Sequence, residues 1–171
     1  ALARVLQVVR DMASVRPAAG RTRPADPGPA AATPQVATAL AGLRVLVAED
    51  NEINRRVLAG MLRRLGCEVV FAVDGKEAVQ ISQAQRFDLV LMDCQMPELD
   101  GYGATQAIRA RGGRFASLPI LALTANVLPS DRDACLGAGM NDFLGKPVKL
   151  DVLRAALQRW GPQRGAAAAQ A

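Results

Sequence analysis

Residues 87–101 read FDLVLMDCQMPELDG, and this stretch decides the fold class. Its apolar run is long enough for a buried parallel strand, and the run stops at Asp93. A proline and the pair Asp100-Gly101 then predict a turn before the next helical pattern. A carboxylate at the C-terminal end of a buried strand lies where open α/β sheets place their chemistry.

Similar apolar runs and helical patterns alternate on both sides of this stretch. The predicted strands cover 44–48, 68–72, 87–92, 119–123 and 142–144. The predicted helices cover about 52–65, 75–85, 101–111 and 131–136, and a last helix carries Leu150 and Trp160 on one face. We expect Ser130 to cap the fourth helix. This alternation predicts an α/β fold: a doubly wound (βα)5 flavodoxin-like sandwich around a parallel five-stranded sheet, in the order 2-1-3-4-5.

Composition limits the classes of partner and location. Of 171 residues half are apolar, but no run approaches the ~20 residues that span a membrane, and no signal peptide is evident. Basic and acidic residues nearly balance over 44–160, so most of the net charge of +5 lies in the flanks and predicts no nucleic-acid partner. Three scattered cysteines and no histidine predict neither a disulfide framework nor a zinc site. We expect a cytoplasmic location for this segment without membrane contact, although a parent protein can be membrane-anchored.

The chain divides into four segments by composition. We expect a helix over 1–15, which either links domains or ends a preceding domain. A flexible linker rich in Ala, Pro and Arg follows over 16–43. The folded domain covers 44–160, and a disordered tail covers 161–171. A sequence of this kind is expected to be a piece of a longer polypeptide.

Polar residues follow four of the predicted strands: Glu49-Asp50, Asp93, Thr124 and Lys146. Because the carboxyl ends of parallel strands meet at one edge of a sheet, three carboxylates converge there and repel one another. Oxygen ligands without histidine or placed thiolates predict a hard cation, Mg2+ or Mn2+. Lys146 and Thr124 add a positive charge and a hydroxyl that suit a phosphoryl group. Asp93 is ionised at neutral pH and can attack phosphorus without a histidine base.

Four segments, in chain order, resemble the receiver domain of bacterial two-component response regulators. They are VLVAEDNEINRRV (45–57), LVLMDCQMPELDGYGA (89–104), ILALTAN (120–126) and FLGKPV (143–148). The form EDNEIN is most like the C-terminal receiver of a hybrid sensor histidine kinase. The resemblance implies a phosphoacceptor module that takes its phosphoryl group from a partner phosphohistidine and then changes conformation.

The resemblance also implies roles for individual residues. Asp93 matches the phosphoacceptor. The implied metal ligands are Asp50, Asp93, the backbone carbonyl of Gln95 and, through water, Glu49. The implied phosphoryl-binding residues are Lys146, Thr124, Cys94 and Ala125. The peptide bond between Lys146 and Pro147 is expected to be cis.

Further positions match the regions that switch, tune and dock. Thr124 and Phe143 match the switch pair, although Phe143 is equally well explained as core filling. Gln95 and Asn126 match the two positions that tune the aspartyl-phosphate lifetime. Ile53, Asn54 and Pro147 are expected to dock the phosphodonor, which the resemblance implies is a histidine kinase dimerisation domain or a histidine-phosphotransfer domain.

Two other functions are alternatives to a phosphoacceptor receiver. The first is a receiver that acts by protein interaction alone, without phosphorylation; it typically lacks an acidic residue or the lysine of the site. The second is a metal-dependent phosphatase, which usually carries a second aspartate two residues after its nucleophile, where this chain has Gln95. We expect no enzyme beyond self-dephosphorylation, although the parent polypeptide can be a histidine kinase. The arginine pair Arg55-Arg56 is interpreted as a solvated helix face.

Overall fold

The computed structural model describes residues 40–162. The helix expected over 1–15, nearly all of the linker and most of the tail lie outside the described residues. Within 40–162 the strands are β1 (Arg44–Ala48), β2 (Glu68–Ala72), β3 (Leu89–Asp93), β4 (Ile120–Thr124) and β5 (Asp142–Gly145). The helices are α1 (Glu52–Arg64), α2 (Gly75–Ala84), α3 (Gly101–Arg109), α4 (Pro129–Gly137) and α5 (Leu150–Trp160), with a four-residue helical turn at Arg114–Ser117. None of the described helices is long and apolar enough to cross a membrane.

The five strands form one parallel sheet in the order β2-β1-β3-β4-β5, so the predicted fold class and strand order are confirmed. The register brings the strand ends to one level. Ala48 pairs with Met92, Asp93 pairs with Leu123, and Thr124 pairs with Gly145. The residues that follow these strands therefore emerge side by side at one edge of the sheet.

Alternation along each strand divides the core into two layers. Val45 and Val47 pack in the layer that contains α1 and α5, whereas Leu46 and Ala48 pack in the layer of α2, α3 and α4. The same alternation repeats along β3 and β4, whose side chains are all buried. Burial on both faces explains why these strands are continuous apolar runs in the sequence.

Local sequence signals predict the start of α2 correctly and the start of α4 incorrectly. Asp74 caps α2, because its carboxylate accepts from the Glu77 amide at 2.8 Å. At α4 the expected Ser130 cap is wrong: the N-cap is Leu128, which makes no side-chain capping bond. Pro129, at the start of α4, has a φ that suits the first helical turn, so the helix begins before Ser130.

The edge of the sheet opposite the strand ends is held together by Arg109. Its guanidinium donates to the carbonyls of Gly139 at 2.9 Å and Leu118 at 2.7 Å, and to the side chain of Asn141 at 2.8 Å. Burial lowers the pKa of Arg109. Neutral acceptors from the loop before β4 and the loop before β5 thus replace the water that this cation loses on burial.

The single tryptophan of the chain joins the last helix to the edge strand. Trp160, at the end of α5, donates its indole N–H to Asp142 Oδ2 at 2.9 Å. Asp142 is the first residue of β5. The bond therefore fixes the C-terminal helix to the start of β5, away from the strand ends.

Candidate functional site

A cleft of about 570 Å³ opens at the carboxyl edge of the sheet. Its walls are the loops after β1, β3, β4 and β5. The sequence-predicted residues that line it are Glu49, Asp50, Asn54, Asp93, Cys94, Gln95, Thr124, Ala125, Asn126 and Lys146. The fold therefore brings together ten residues that are separated by up to about a hundred positions in the chain. Of the other predicted site residues, Ile53, Pro147 and Phe143 lie outside this cleft.

Lys146 bridges two carboxylates at the base of the cleft. Its Nζ lies 2.6 Å from Asp93 Oδ2 and 2.8 Å from Glu49 Oε2. Burial raises the pKa of the Asp93 carboxyl, and the hydrogen bonds from Lys146 and the Gln95 amide offset this only in part. Burial alone would lower the pKa of Lys146, but its hydrogen bonds to Asp93 and Glu49 outweigh burial and raise it. The lysine is therefore a fixed positive charge beside Asp93.

Three carboxylates can meet one cation at this edge. Oxygens of Glu49, Asp50 and Asp93 all lie within 4.8 Å of one another. Glu49 and Asp93 are buried, whereas Asp50 is exposed at the mouth of the cleft. One lysine balances only part of three negative charges, and carboxylate oxygens suit a hard divalent ion. The residues present therefore fit the metal site that the sequence predicts.

The first turn of α1 holds the acidic loop. Asn54 donates its side-chain amide to Glu49 Oε1 at 2.9 Å. Asn51 caps α1 by accepting from the amides of Ile53 and Asn54 at 2.9 and 3.2 Å. These bonds fix both the Glu49 carboxylate and the entry of the chain into the helix.

The interpretation of Arg55-Arg56 as one solvated face is wrong for Arg55. Its Nη1 donates to the backbone carbonyls of Glu49 at 2.8 Å and Asp50 at 2.7 Å. Arg56, in contrast, is exposed and pairs with Glu52 one turn back. A side chain that reaches back over its own helix start leaves no signal in the helical pattern, so residue type and spacing do not distinguish Arg55 from Arg56.

The hydroxyl of Thr124 is engaged within its own loop. Thr124 Oγ1 donates to the carbonyl of Asn126 at 2.7 Å and accepts from the Asn126 amide at 3.2 Å. Phe143 is half-buried and packs against the core layer of α2, α3 and α4. In this conformation, therefore, the aromatic side chain belongs to the core.

Four cleft residues were not predicted as site residues from the sequence: Asn51 and Glu52 at the start of α1, and two residues from later helices. Tyr102 of α3 and Asp131 of α4 both line the cleft. They come from the first turns of helices, where the strand-end rule that found the other residues does not apply. Asp131 Oδ2 is buried without a hydrogen-bond partner.

Cys94 is not a candidate nucleophile. Its sulfur lies 3.8 Å from the sulfur of Cys135 on α4, and both side chains are buried. Burial raises the pKa of the Cys94 thiol to about 12. The thiol is therefore protonated at neutral pH, and its small side chain fits a tight loop.

Comparison with known proteins decides the family. Residues 45–158 match the family described as the response regulator receiver domain. The chain belongs to this family. It is therefore a receiver module of a two-component phosphorelay, as the four sequence segments predict.

The curated relatives of this receiver include histidine kinases, some of them described as hybrid kinases. The chain is 42% identical over 121 residues to hybrid signal transduction histidine kinase A of Dictyostelium discoideum, covering 69% of this chain and 6% of that kinase. It is 43% identical over 115 residues to the sensor histidine kinase RcsC of Salmonella typhimurium, covering 67% of this chain and 12% of RcsC. The receiver thus spans a small part of the relatives it matches.

Solved receiver structures are similar to this chain in both sequence and fold. The receiver domain of a sensor histidine kinase from Pseudomonas aeruginosa, crystallised with a magnesium ion in its active site cleft, is 51% identical with a TM-score of 0.66; the match covers 70% of this chain and 98% of that one. A second solved structure is the complex of the histidine phosphotransfer protein Ypd1 with the receiver domain of Ssk1, from Saccharomyces cerevisiae. It contains a chain that is 35% identical to this one with a TM-score of 0.65, and the match covers 71% of this chain and 90% of that one.

Proposed function

We propose that this receiver accepts a phosphoryl group from a partner phosphohistidine onto Asp93, with Mg2+ or Mn2+ bound by the neighbouring carboxylates. The observation that carries the proposal is the placement of Asp93. One of its oxygens is held by Lys146, and its carboxylate stands within 4.8 Å of oxygens from two further acidic residues. The function is that of a transient acceptor rather than of an enzyme with many turnovers.

The chemistry follows from the groups present. A carboxylate oxygen of Asp93 attacks phosphorus and the bond between phosphorus and the donor imidazole nitrogen breaks. That nitrogen keeps the bonding electron pair and takes up a proton from solvent, which regenerates the donor histidine. The product is an acyl phosphate on Asp93. Lys146 then pairs with a phosphoryl oxygen, and Cys94 and Ala125 line the space beside it.

The proposed metal ligands are Asp50, Asp93 and the carbonyl of Gln95, with Glu49 acting through water. A divalent cation held by these residues would neutralise charge on the phosphoryl oxygens. Before the transfer, this chain holds Glu49 in place through Asn54 and the Asp93 carboxylate through the Gln95 amide at 3.1 Å. Gln95 and Asn126 border the attacking space and are proposed to set the lifetime of the acyl phosphate.

A switch requires Thr124 to change its hydrogen bond. Its hydroxyl would leave the Asn126 carbonyl and donate to the new phosphoryl group, which offers a stronger, charged acceptor. The loop after β4 would move with it. Phe143, which is half-buried beside this strand, is proposed to turn further inward in response.

The phosphodonor is proposed to dock beside the cleft. Ile53 and Val57 of α1 expose 71% and 48% of their surface, although both lie in a helix that buries Leu58 and Leu62. A second groove, of about 140 Å³ and mostly apolar, runs from α1 to Pro147 and Val148. We propose that a helical histidine kinase dimerisation domain or histidine-phosphotransfer domain covers this surface, with Asn54 at its border with the site. The peptide bond before Pro147 is cis, as expected.

The location proposed for this module is the cytoplasm. Cys67, Cys94 and Cys135 are all free and buried. Free thiols suit a reducing compartment, where a phosphorelay can draw on ATP-dependent kinases.

Phosphorylation is tested by incubating the chain with phosphoramidate and Mg2+ and measuring intact mass. Wild type is expected to gain one phosphoryl group that hydroxylamine removes, and the gain is expected to vanish in Asp93→Asn and without Mg2+. Because the chain contains no histidine, the adduct cannot be a phosphohistidine. Asp100→Asn is the matched control, since Asp100 lies in the same loop but only caps α3.

Two results would contradict the proposal. An adduct that persists in Asp93→Asn would place the acceptor elsewhere. The complete absence of an adduct, under conditions that label another receiver, would favour a module that acts by protein interaction alone.

A further inference from the structure

We infer that Arg55 is a positioning residue for the cation site, a role that rests on the proposed function. Arg55 touches neither the proposed metal position nor the phosphoryl group. It acts through the backbone of Glu49 and Asp50, the loop that carries two of the three carboxylates. The inference concerns the shape of this loop and not the charge of the arginine.

The geometry shows how one side chain can hold the loop. The two hydrogens of Arg55 Nη1 match two acceptors, the carbonyl of Glu49 at 2.8 Å and the carbonyl of Asp50 at 2.7 Å. At the same time the Arg55 amide donates to the Asn51 carbonyl at 3.0 Å as part of α1. The arginine therefore links the start of the helix to the two peptide units immediately before it.

Asp50 depends on this link more than Glu49 does. The Glu49 carboxylate is buried and is bonded to Asn54 and Lys146. Asp50 is exposed, so the direction of its carboxylate follows from the backbone conformation of the loop. Holding both carbonyls restricts the peptide on either side of the Asp50 α-carbon, and this restriction keeps the carboxylate turned toward the cleft that it lines.

The charge of Arg55 and its hydrogen bonds to the loop predict opposite effects on Mg2+ binding when Arg55 is removed. A positive charge beside an acidic cluster repels a divalent cation, so its loss alone should tighten Mg2+ binding. Loss of the two carbonyl bonds frees the loop, which should weaken Mg2+ binding, as loss of groups that orient metal ligands typically does. The sign of the change therefore separates the two explanations.

The test measures Mg2+ binding by isothermal titration calorimetry on the full chain of 171 residues. Arg55→Met is expected to raise the Kd for Mg2+ by about tenfold. Arg56→Met is the matched control, because it removes the same charge from the adjacent residue, whose only described partner is the exposed Glu52. Its Kd is expected to stay within about twofold of wild type, since exposed charges are screened by salt.

A second variant and a second readout keep the test decisive. Arg55→Lys keeps the charge but loses the planar pair of donors, so no relief of repulsion offsets the freed loop and its Kd is expected to rise at least as far as that of Arg55→Met; it also replaces Arg55→Met if that variant does not fold. In phosphorylation by phosphoramidate, Arg55→Met is expected to need more Mg2+ for half-maximal rate while reaching nearly the wild-type rate at saturating Mg2+.

Each outcome has a defined meaning. A Kd for Arg55→Met and Arg55→Lys equal to or below that of wild type would overturn the positioning role alone. A wild-type chain that binds no Mg2+ would overturn the proposed function and this inference together. Weakened binding in both Arg55 variants, with Arg56→Met unchanged, supports it.

Discussion

In the metal-free protein, Lys146→Met is expected to lower the free energy of unfolding at pH 7 by about 3 kcal/mol. The substitution keeps most of the apolar stem but removes the cation between Glu49 and Asp93, which are both buried. Two buried carboxylates would then face each other without compensation. Chemical denaturation with urea, in the presence of a chelator, measures the loss.

The pH dependence identifies the cause of this loss. The pKa of Asp93 is already raised by burial in the folded protein, and removal of the lysine raises it further. A group whose folded pKa exceeds its unfolded pKa binds protons preferentially in the folded state, so stability rises as the pH falls through the folded pKa. The deficit of Lys146→Met should therefore be largest at neutral pH and shrink as the pH falls through the folded pKa of Asp93. Wild type, whose Lys146 pKa is raised, keeps the contribution of that lysine until the pH rises through its folded pKa.

Added Mg2+ should recover much of the stability of Lys146→Met, because a divalent cation replaces the missing positive charge. Lys76→Met is the control. Lys76 pairs with Glu98 at 2.8 Å, but both side chains are more than half exposed, so little change in the free energy of unfolding is expected. An equal deficit at neutral and acidic pH would show that Lys146 acts by packing rather than by charge.

Gly101→Ala is expected to lower the free energy of unfolding by about 3 kcal/mol or more. Gly101 is the first residue of α3, and a Cβ there would lie 2.1 Å from the backbone oxygen of Asp93. Backbone cannot yield as a flexible side chain does, so α3 or the end of β3 must move. Thermal and urea unfolding measure the loss, and the phosphoramidate assay should show slower labelling wherever the variant is folded.

The control for this substitution is Gly60→Ala. Gly60 lies inside α1, and a Cβ there would meet nothing within 4 Å. The same chemical change should therefore stabilise the protein, by about 0.5–1 kcal/mol, because alanine favours a helix more than glycine does. If both variants lost stability equally, the contact with Asp93 would not be the cause.

The fold could be predicted from the sequence because its signals are local and consistent. β3 and β4 are buried on both faces, so they are uninterrupted apolar runs, and each ends at a polar residue. The start of one helix, in contrast, was predicted incorrectly. The helix α4 begins at Pro129, one residue before the Ser130 that was expected to cap it, because the φ of proline suits the first helical turn.

The sequence also predicted part of the candidate site, for the same reason. Asp93, Thr124 and Lys146 follow strands, and a parallel sheet must bring such residues to one edge. Asp131 lines the cleft from α4, and Arg55 of α1 binds the backbone of the loop that carries Glu49 and Asp50. These contacts depend on the tertiary geometry, which residue type and spacing in the sequence do not specify.

The position of the single tryptophan determines which optical experiments will be informative. Trp160 is fixed to the first residue of β5, and it does not line the cleft. Its emission should therefore report the detachment of α5 during unfolding, free of interference from other indoles, and should respond weakly to a cation bound among Glu49, Asp50 and Asp93. A fluorescence titration with little change in intensity would thus be compatible with a fully loaded site, and a reporter placed on the loop after β4 would be the better probe of loading.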